Sequence, residues 1–203
     1  VEHWVQEEVR SRAGLLAALR RLDWLRNLAT QFSPLIDTSS PLSVFDRVRF
    51  VLVAPSHPGN IGAAARAMKT MGFRRLVIVS PRLAGYRDHP DAVARATGGG
   101  DVLAASESCS TLAHALAGVS TAFAMTGYDR QFGPPMIDVR SAALQMAQIL
   151  SSRGDADIAF VFGTERDGLL NEDVERCQFS CGIPASTEFS SLNLAQAVQV
   201  TAY

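Results

Sequence analysis

From residue 48 onward, short runs that are almost wholly apolar alternate with longer stretches whose apolar positions recur every three or four residues. Residues 48–55 (VRFVLVAP), 74–81 (RRLVIVSP), 120–125, 158–162 and 179–183 are rich in β-branched and aromatic side chains. Each ends at Pro, Gly or a polar loop. Runs of that kind predict strands buried on both faces, as in a parallel sheet. Helices are predicted over about 61–71, 108–116 and 139–150, and a last one carries Leu192, Leu194, Ala195 and Val198. Asn60 is placed to cap the first helix and Gly72 to stop it, while Ser190-Ser191 sit where a cap for the last would be. Strand, helix and strand in close succession make a βαβ unit, so the class is α/β with a mostly parallel sheet flanked by helices.

Ahead of this domain, residues 1–30 read as an amphipathic helix. Leu15, Leu19, Leu22 and Leu25 share one stripe, with Arg12, Arg20, Arg21 and Arg26 mostly elsewhere. Such an arm buries its leucines on the main domain or a partner chain; in the sharper reading its arginines touch phosphate. Residues 33–46 have linker chemistry, with prolines and small polar residues. The expected division is an N-terminal helical arm and linker over 1–46 and one α/β domain over 47–203. The chain begins at Val1 and stops inside an apparent helix, so a longer natural protein is expected.

Composition narrows the class without choosing a function. With 203 residues, 47% hydrophobic and 19% charged, the chain fits one domain with a full core and an appendage. Its net charge of −1 makes no global case for a nucleic-acid or membrane partner. Locally, residues 66–95 hold seven basic side chains against two acidic ones, a hint of a face for a polyanion that a solvated surface would equally produce. Cys109, Cys177 and Cys181 form no CxxC pair, so reduced thiols in a cytoplasmic protein are expected. His3, His57, His89 and His114 lack metal-ligand spacing, and no metal site is expected. No run is long enough for a membrane span, and no signal peptide is visible. Gly98-Gly99-Gly100 reads as a flexible loop without the endings of either nucleotide-binding motif, and there is no GxSxG elbow.

The chemistry concentrates in residues 158–203. There two apolar runs break into polar loops just ahead of the last helix, the usual place for a ligand in an open α/β sheet. Three blocks, HPGNIGAAARAMKTMGF (57–73), FVFGTERDGLLNEDVERC (160–177) and IPASTEFSSLNLAQAVQVTAY (183–203), resemble in order and spacing the motifs of the SPOUT-class (SpoU/TrmH-like) RNA 2′-O-methyltransferases. Within that class they are most similar to the branch acting on cytidine or uridine 32 of tRNA. The likeness covers about residues 48–203 and leaves the arm outside; in the family the extra helices usually follow this domain.

The resemblance implies a C-terminal deep trefoil knot, bound S-adenosylmethionine, and an obligate homodimer with its active site at the subunit interface. It implies cofactor contacts from Thr126, Gly127 and Tyr128, from Gly163, Thr164 and Gly168, and from Ile183, Ser190, Ser191 and Leu192. Tyr128 departs from the small residue that the family often carries in the first of these loops. Arg66 matches the family's catalytic arginine, and Asn60, Glu165, Ser191 and Asn193 match its other active-site polar positions. Taken singly, Asn60 could be only a cap, Glu165 only a turn residue and Ser190-Ser191 only a helix start.

Methyl transfer to a hydroxyl is an in-line displacement, and holding the reactants in line contributes on the order of 7–11 kcal/mol. A guanidinium beside the ribose would stabilise developing alkoxide charge or orient the neighbouring phosphate, and being permanently charged it serves poorly as a base. The RNA target is open at this point. A tRNA anticodon loop leads, ribosomal RNA is the alternative substrate, and a non-catalytic RNA-binding protein is the rival class.

Overall fold

Continuous apolar strands need cover on both faces, and the chain builds a sheet that has it. The computed structural model describes residues 44–130 and 133–203; the predicted arm and most of the linker lie outside the described residues. Strands β1 (Val48–Val53), β2 (Arg75–Val79), β3 (Glu107–Cys109), β4 (Val119–Met125), β5 (Met136–Asp138), β6 (Asp157–Phe162) and β7 (Phe179–Gly182) form one sheet. Its order is β3-β2-β1-β6-β4-β7-β5, and every neighbouring pair is parallel. The helices are α1 (Pro58–Thr70), α2 (Pro90–Ala96), α3 (Gly100–Ala105), α4 (Leu112–Ala115), α5 (Val139–Ser152), α6 (Asn171–Val174) and α7 (Leu194–Ala202).

Alternation along the strands sorts large from small side chains. Phe50, Leu52, Leu76, Ile78, Phe123, Phe160 and Phe162 face one layer, where Ala64, Ala65 and Met68 of α1 and Leu194 and Val198 of α7 pack on them. Rings of Phe123 and Phe160 stack at 5.1 Å, and those of Phe123 and Phe179 at 5.5 Å. Val51, Val77, Ala122, Ala124, Ala159 and Val161 face the other layer, covered by Leu112 and Ala115 of α4 and Leu169, Val174 and Cys177 around α6. Small side chains suffice on that face because its helices are single turns.

Ionic ties hold the opposite end of the sheet from the one where the strands finish. Asp157 at the start of β6 accepts from Arg49 of β1 at 2.8 Å and Arg75 of β2 at 2.6 Å. Arg47 is buried and donates to the carbonyls of Leu150, Arg153 and Ala156, fixing the turn between α5 and β6.

Several local expectations change. Helix α1 begins at Pro58 with His57 as its cap residue, so Asn60 lies inside the first turn and caps nothing. Proline's fixed φ and missing N–H suit the first helical position. Gly72, at φ +91, does end the helix, one residue beyond the cap Met71. The expected helix over 108–116 divides into edge strand β3 and the short α4, because Val77, Ile78 and Val79 pair with Glu107, Ser108 and Cys109. Gly98-Gly99-Gly100 is no loose loop: it closes a tight turn and opens α3, with Gly99 buried. A Cβ on Gly99 would come within 2.7 Å of the Cα of Arg66, so close packing against α1 demands glycine there. The proline-containing loop before α5 holds strand β5, and the last helix is capped by Asn193 instead of Ser190-Ser191.

Candidate active site

In a parallel sheet the loops that follow the strands all leave at one end, which is where ligands bind in open α/β folds. A cavity of about 280 Å³ lies there, close to the lower end of the roughly 300–1,000 Å³ that small-molecule clefts span. Three segments wall it: the loop after β4, the loop after β6 and the stretch between β7 and α7. Thr126, Gly127, Tyr128, Gly163, Thr164, Gly168, Ile183, Ser190, Ser191 and Leu192 all line it, with Met125, Phe162 and Leu194 adding apolar surface. The lining therefore pairs hydrophobic side chains with hydroxyls, loop backbone and the charged Arg130, Glu165, Arg166 and Asp167, the mix of apolar walls and a few polar groups that small-molecule sites show.

The loop after β6 is closed on itself. Thr164 N donates to Gly168 O and Gly168 N to Thr164 O, both at 3.0 Å, while Asp167 N donates to Thr164 Oγ1 at 3.0 Å. Gly168 sits at φ +71, and a Cβ on Gly163 would fall 2.0 Å from the carbonyl carbon of Gly168. Both glycines are thus required by the turn itself.

The loop after β4 is latched to it by Arg130, which sequence reasoning left without a role. Its guanidinium lies 5.3 Å from the centre of the Tyr128 ring and donates to Leu169 O at 2.7 Å and to Asn171 Oδ1. An aromatic residue two positions before an arginine was the available signal.

Beside the cavity runs a chain of hydrogen bonds among residues from three blocks. Glu165 accepts from Ser56 N at 2.9 Å, Ser56 Oγ at 2.7 Å, His57 N at 3.1 Å and Asn60 Nδ2 at 3.1 Å. Asn193 Nδ2 donates to Asn60 Oδ1 at 3.1 Å, and Asn193 Oδ1 accepts from Ala195 N at 2.9 Å. Partial burial alone would raise the pKa of Glu165, but the bonds from Ser56 and Asn60 outweigh it and hold the carboxyl at about 2. The carboxylate thus binds the two backbone amides, of Ser56 and His57, that lead into α1.

Asn60, Glu165 and Asn193 are therefore brought together, and Ser191 lines the cavity next to them. Arg66 is not among the lining residues; it is exposed on α1. Six residues past Asn60 it is turned roughly 240° around the helix and lies about 9 Å along it. The basic stretch is also less free than its count implies. Lys69 pairs with Asp101, Arg75 with Asp157, and Arg87 donates to Ser106 O. Among the described residues no group of three or more His, Cys, Asp or Glu is placed to hold a metal ion. No helix there is long and apolar enough to cross a membrane. Cys109, Cys177 and Cys181 are free thiols, and burial pushes Cys177 and Cys181 up to about 12.

Residues 47–203 match the SpoU rRNA Methylase family. The tRNA (cytidine/uridine/adenosine-2′-O-)-methyltransferase TrmJ of Pseudomonas aeruginosa (strain UCBPP-PA14) is 48% identical over 160 residues, covering 79% of this chain and 60% of its own length. The crystal structure of a probable methyltransferase from Bordetella pertussis Tohama I superposes with a TM-score of 0.75 at 49% identity, covering 78% of this chain and 94% of that one. TrmJ from Z. mobilis ZM4 gives a TM-score of 0.70 at 35% identity, over 76% of this chain and 66% of that one. The chain thus spans about three fifths of the length of the curated relatives it matches.

Proposed function

The chain belongs to the SpoU rRNA Methylase family, and from that premise we propose that it transfers a methyl group from S-adenosylmethionine to a ribose 2′-hydroxyl of tRNA, at cytidine or uridine 32 of the anticodon loop. One observation carries the reading. Loops from three separate parts of the sequence line a single cavity, and the Asn60–Glu165–Asn193 chain is bonded together at its side. The 48% identical relative named as a tRNA 2′-O-methyltransferase supports tRNA as substrate.

The lining suits the donor. Met125, Phe162, Ile183, Leu192 and Leu194 offer contact surface for a flat base, and the hydroxyls of Thr126, Thr164, Ser190 and Ser191 offer bonds to polar edges. When bound, S-adenosylmethionine supplies an electrophilic methyl group. Residues of the chain do the remaining work. The closed 164–168 loop fixes one wall of the cavity, and Ser191 and Asn193 orient the incoming nucleotide. Arg66 stabilises charge developing on the ribose oxygen, a role worth about 10²–10³ in rate.

Arg66 lies outside the cavity of its own chain; on this reading it serves the cavity of a second copy, in a homodimer with its sites at the interface, as the family resemblance implies. The remaining parts of the proposal are a trefoil knot formed by the loop after β6 and the segment from β7 to α7, an N-terminal helical arm and linker over 1–46 preceding a catalytic domain over 47–203, and a cytoplasmic location. Support for the knot lies in the placing of β7 between β4 and β5 and of α7 against α1.

Mapping 2′-O-methyl groups on total RNA, with and without the protein and labelled donor, tests the reading. New label at position 32 of tRNA is expected. Label confined to ribosomal RNA would replace the substrate, and RNA binding without donor binding in calorimetry would replace the enzyme by a binding module.

A further inference from the structure

A second cavity, a groove of about 410 Å³, adjoins the first across the loop after β6, and Ser56, His57, Arg82 and Thr164–Asp167 line it. Thr164, Glu165, Arg166 and Asp167 border both cavities. We propose that this groove seats a phosphodiester group of the RNA next to the target ribose, with Arg82 as its guanidinium ligand. The proposal rests on the RNA-methylating reading above and adds a substrate contact to it.

The backbone aims Arg82 there by a device used twice. Ala54 and Ser80, each one residue past the end of its strand, hold left-handed conformations at φ 45 and φ 46 without being glycine. Each continues the sheet's bonding by one step: Ala54 N donates to Val79 O and Ser80 N to Cys109 O, both at 2.8 Å. A proline follows each, and the residue after that proline, Ser56 or Arg82, lines the groove. Non-glycine residues in that region persist where surrounding structure enforces them, and they gather at ligand sites.

The groove carries two guanidinium groups, Arg82 and Arg166, against two carboxylates, Glu165 and Asp167, and three of these four are already engaged. Glu165 is saturated by four donors on Ser56, His57 and Asn60. Asp167 lies 3.8 Å from Arg166 in an exposed ion pair. Arg82 has no hydrogen bond or ion pair among the described residues, and its planar fork matches phosphate oxygens. A phosphate held there would stand one loop away from the methyl-donor cavity, as the backbone beside a reacting ribose must.

Arg74 supplies the control: it is equally charged and exposed, but it immediately precedes β2, at the other end of the sheet. Affinity for tRNA is measured across a salt series for wild type, Arg82→Ala and Arg74→Ala, with donor binding by calorimetry and the melting temperature alongside. In Arg82→Ala the slope of log affinity against log salt should fall by about 0.7–0.9, the loss of one phosphate contact, and affinity should drop roughly 3- to 30-fold. Donor binding and melting should match wild type, and the deficit in transfer should appear in KM with kcat nearly kept. A slope in Arg82→Ala that falls no further than in Arg74→Ala overturns the proposal, whether or not the protein methylates. Wild type that binds tRNA yet transfers no methyl group overturns the parent reading, while the slopes still decide on the groove.

Discussion

Asn193 donates from Nδ2 to Oδ1 of Asn60 at 3.1 Å, joining the residue that caps α7 to one in the first turn of α1. The same side chain accepts from Ala195 N, so one residue both starts a helix and holds the bonded chain beside the cavity. Asn193→Ala should cost about 1 kcal/mol for the lost cap and about 1–3 kcal/mol for the partner left unsatisfied. Asn193→Asp keeps the acceptor but cannot donate to Asn60, so it should recover the cap's share only. Urea midpoints of the two variants at unchanged slope separate the contributions.

Glu165 makes stability depend on acid. Its carboxyl is held at about 2 in the fold against an ordinary 4.5. A depressed value means that the charged form stabilises the fold, fully above pH 4.5, and that this is lost as pH falls from 4.5 toward 2. Glu165→Gln should destabilise by roughly 1–2 kcal/mol at neutral pH, a figure discounted for the group's partial exposure to solvent. The gap between wild type and Glu165→Gln should narrow through that window when melting temperatures are compared. A gap constant from pH 7 to pH 2 would contradict the assignment.

Gly163→Ala should remove the donor cavity, because the added carbon meets the backbone of Gly168 at 2.0 Å and the loop has to open. A cost of about 1–3 kcal/mol or more is expected, together with loss of S-adenosylmethionine binding. Gly98→Ala meets nothing within 4 Å and should leave binding unchanged. Calorimetry on the two variants makes the comparison.

Arg66→Ala should keep donor binding and lower transfer to tRNA about 10²–10³-fold. Exposure of the side chain predicts an unaltered melting temperature, so the loss reads on chemistry and not on folding. Full activity in this variant would remove the guanidinium from the reaction.

Wherever neighbours along the chain decide the outcome, the hydrophobic pattern was a sufficient guide. Val48–Val53, Arg75–Val79 and Asp157–Phe162 are central strands whose every turn toward either face meets apolar cover, so their signal is strong. The resemblance to the RNA methyltransferase motifs likewise singled out loop residues that line the cavity. Edge strands β3 and β5 escaped because three residues each carry too little periodicity, and their pairing with β2 and β7 is what makes them strands.

Other features depend on partners distant in sequence. Asn60 looks like a helix cap until Glu165 and Asn193 are brought to it. The glycine triplet looks flexible until Arg66 presses on Gly99. Arg82 looks like one more surface charge until the turn at Ser80 carries it to the groove beside Glu165. Local propensity acts over a few residues, whereas hydrogen bonding, exclusion of a Cβ and the meeting of loops act through space, and those settled which polar side chains share a site.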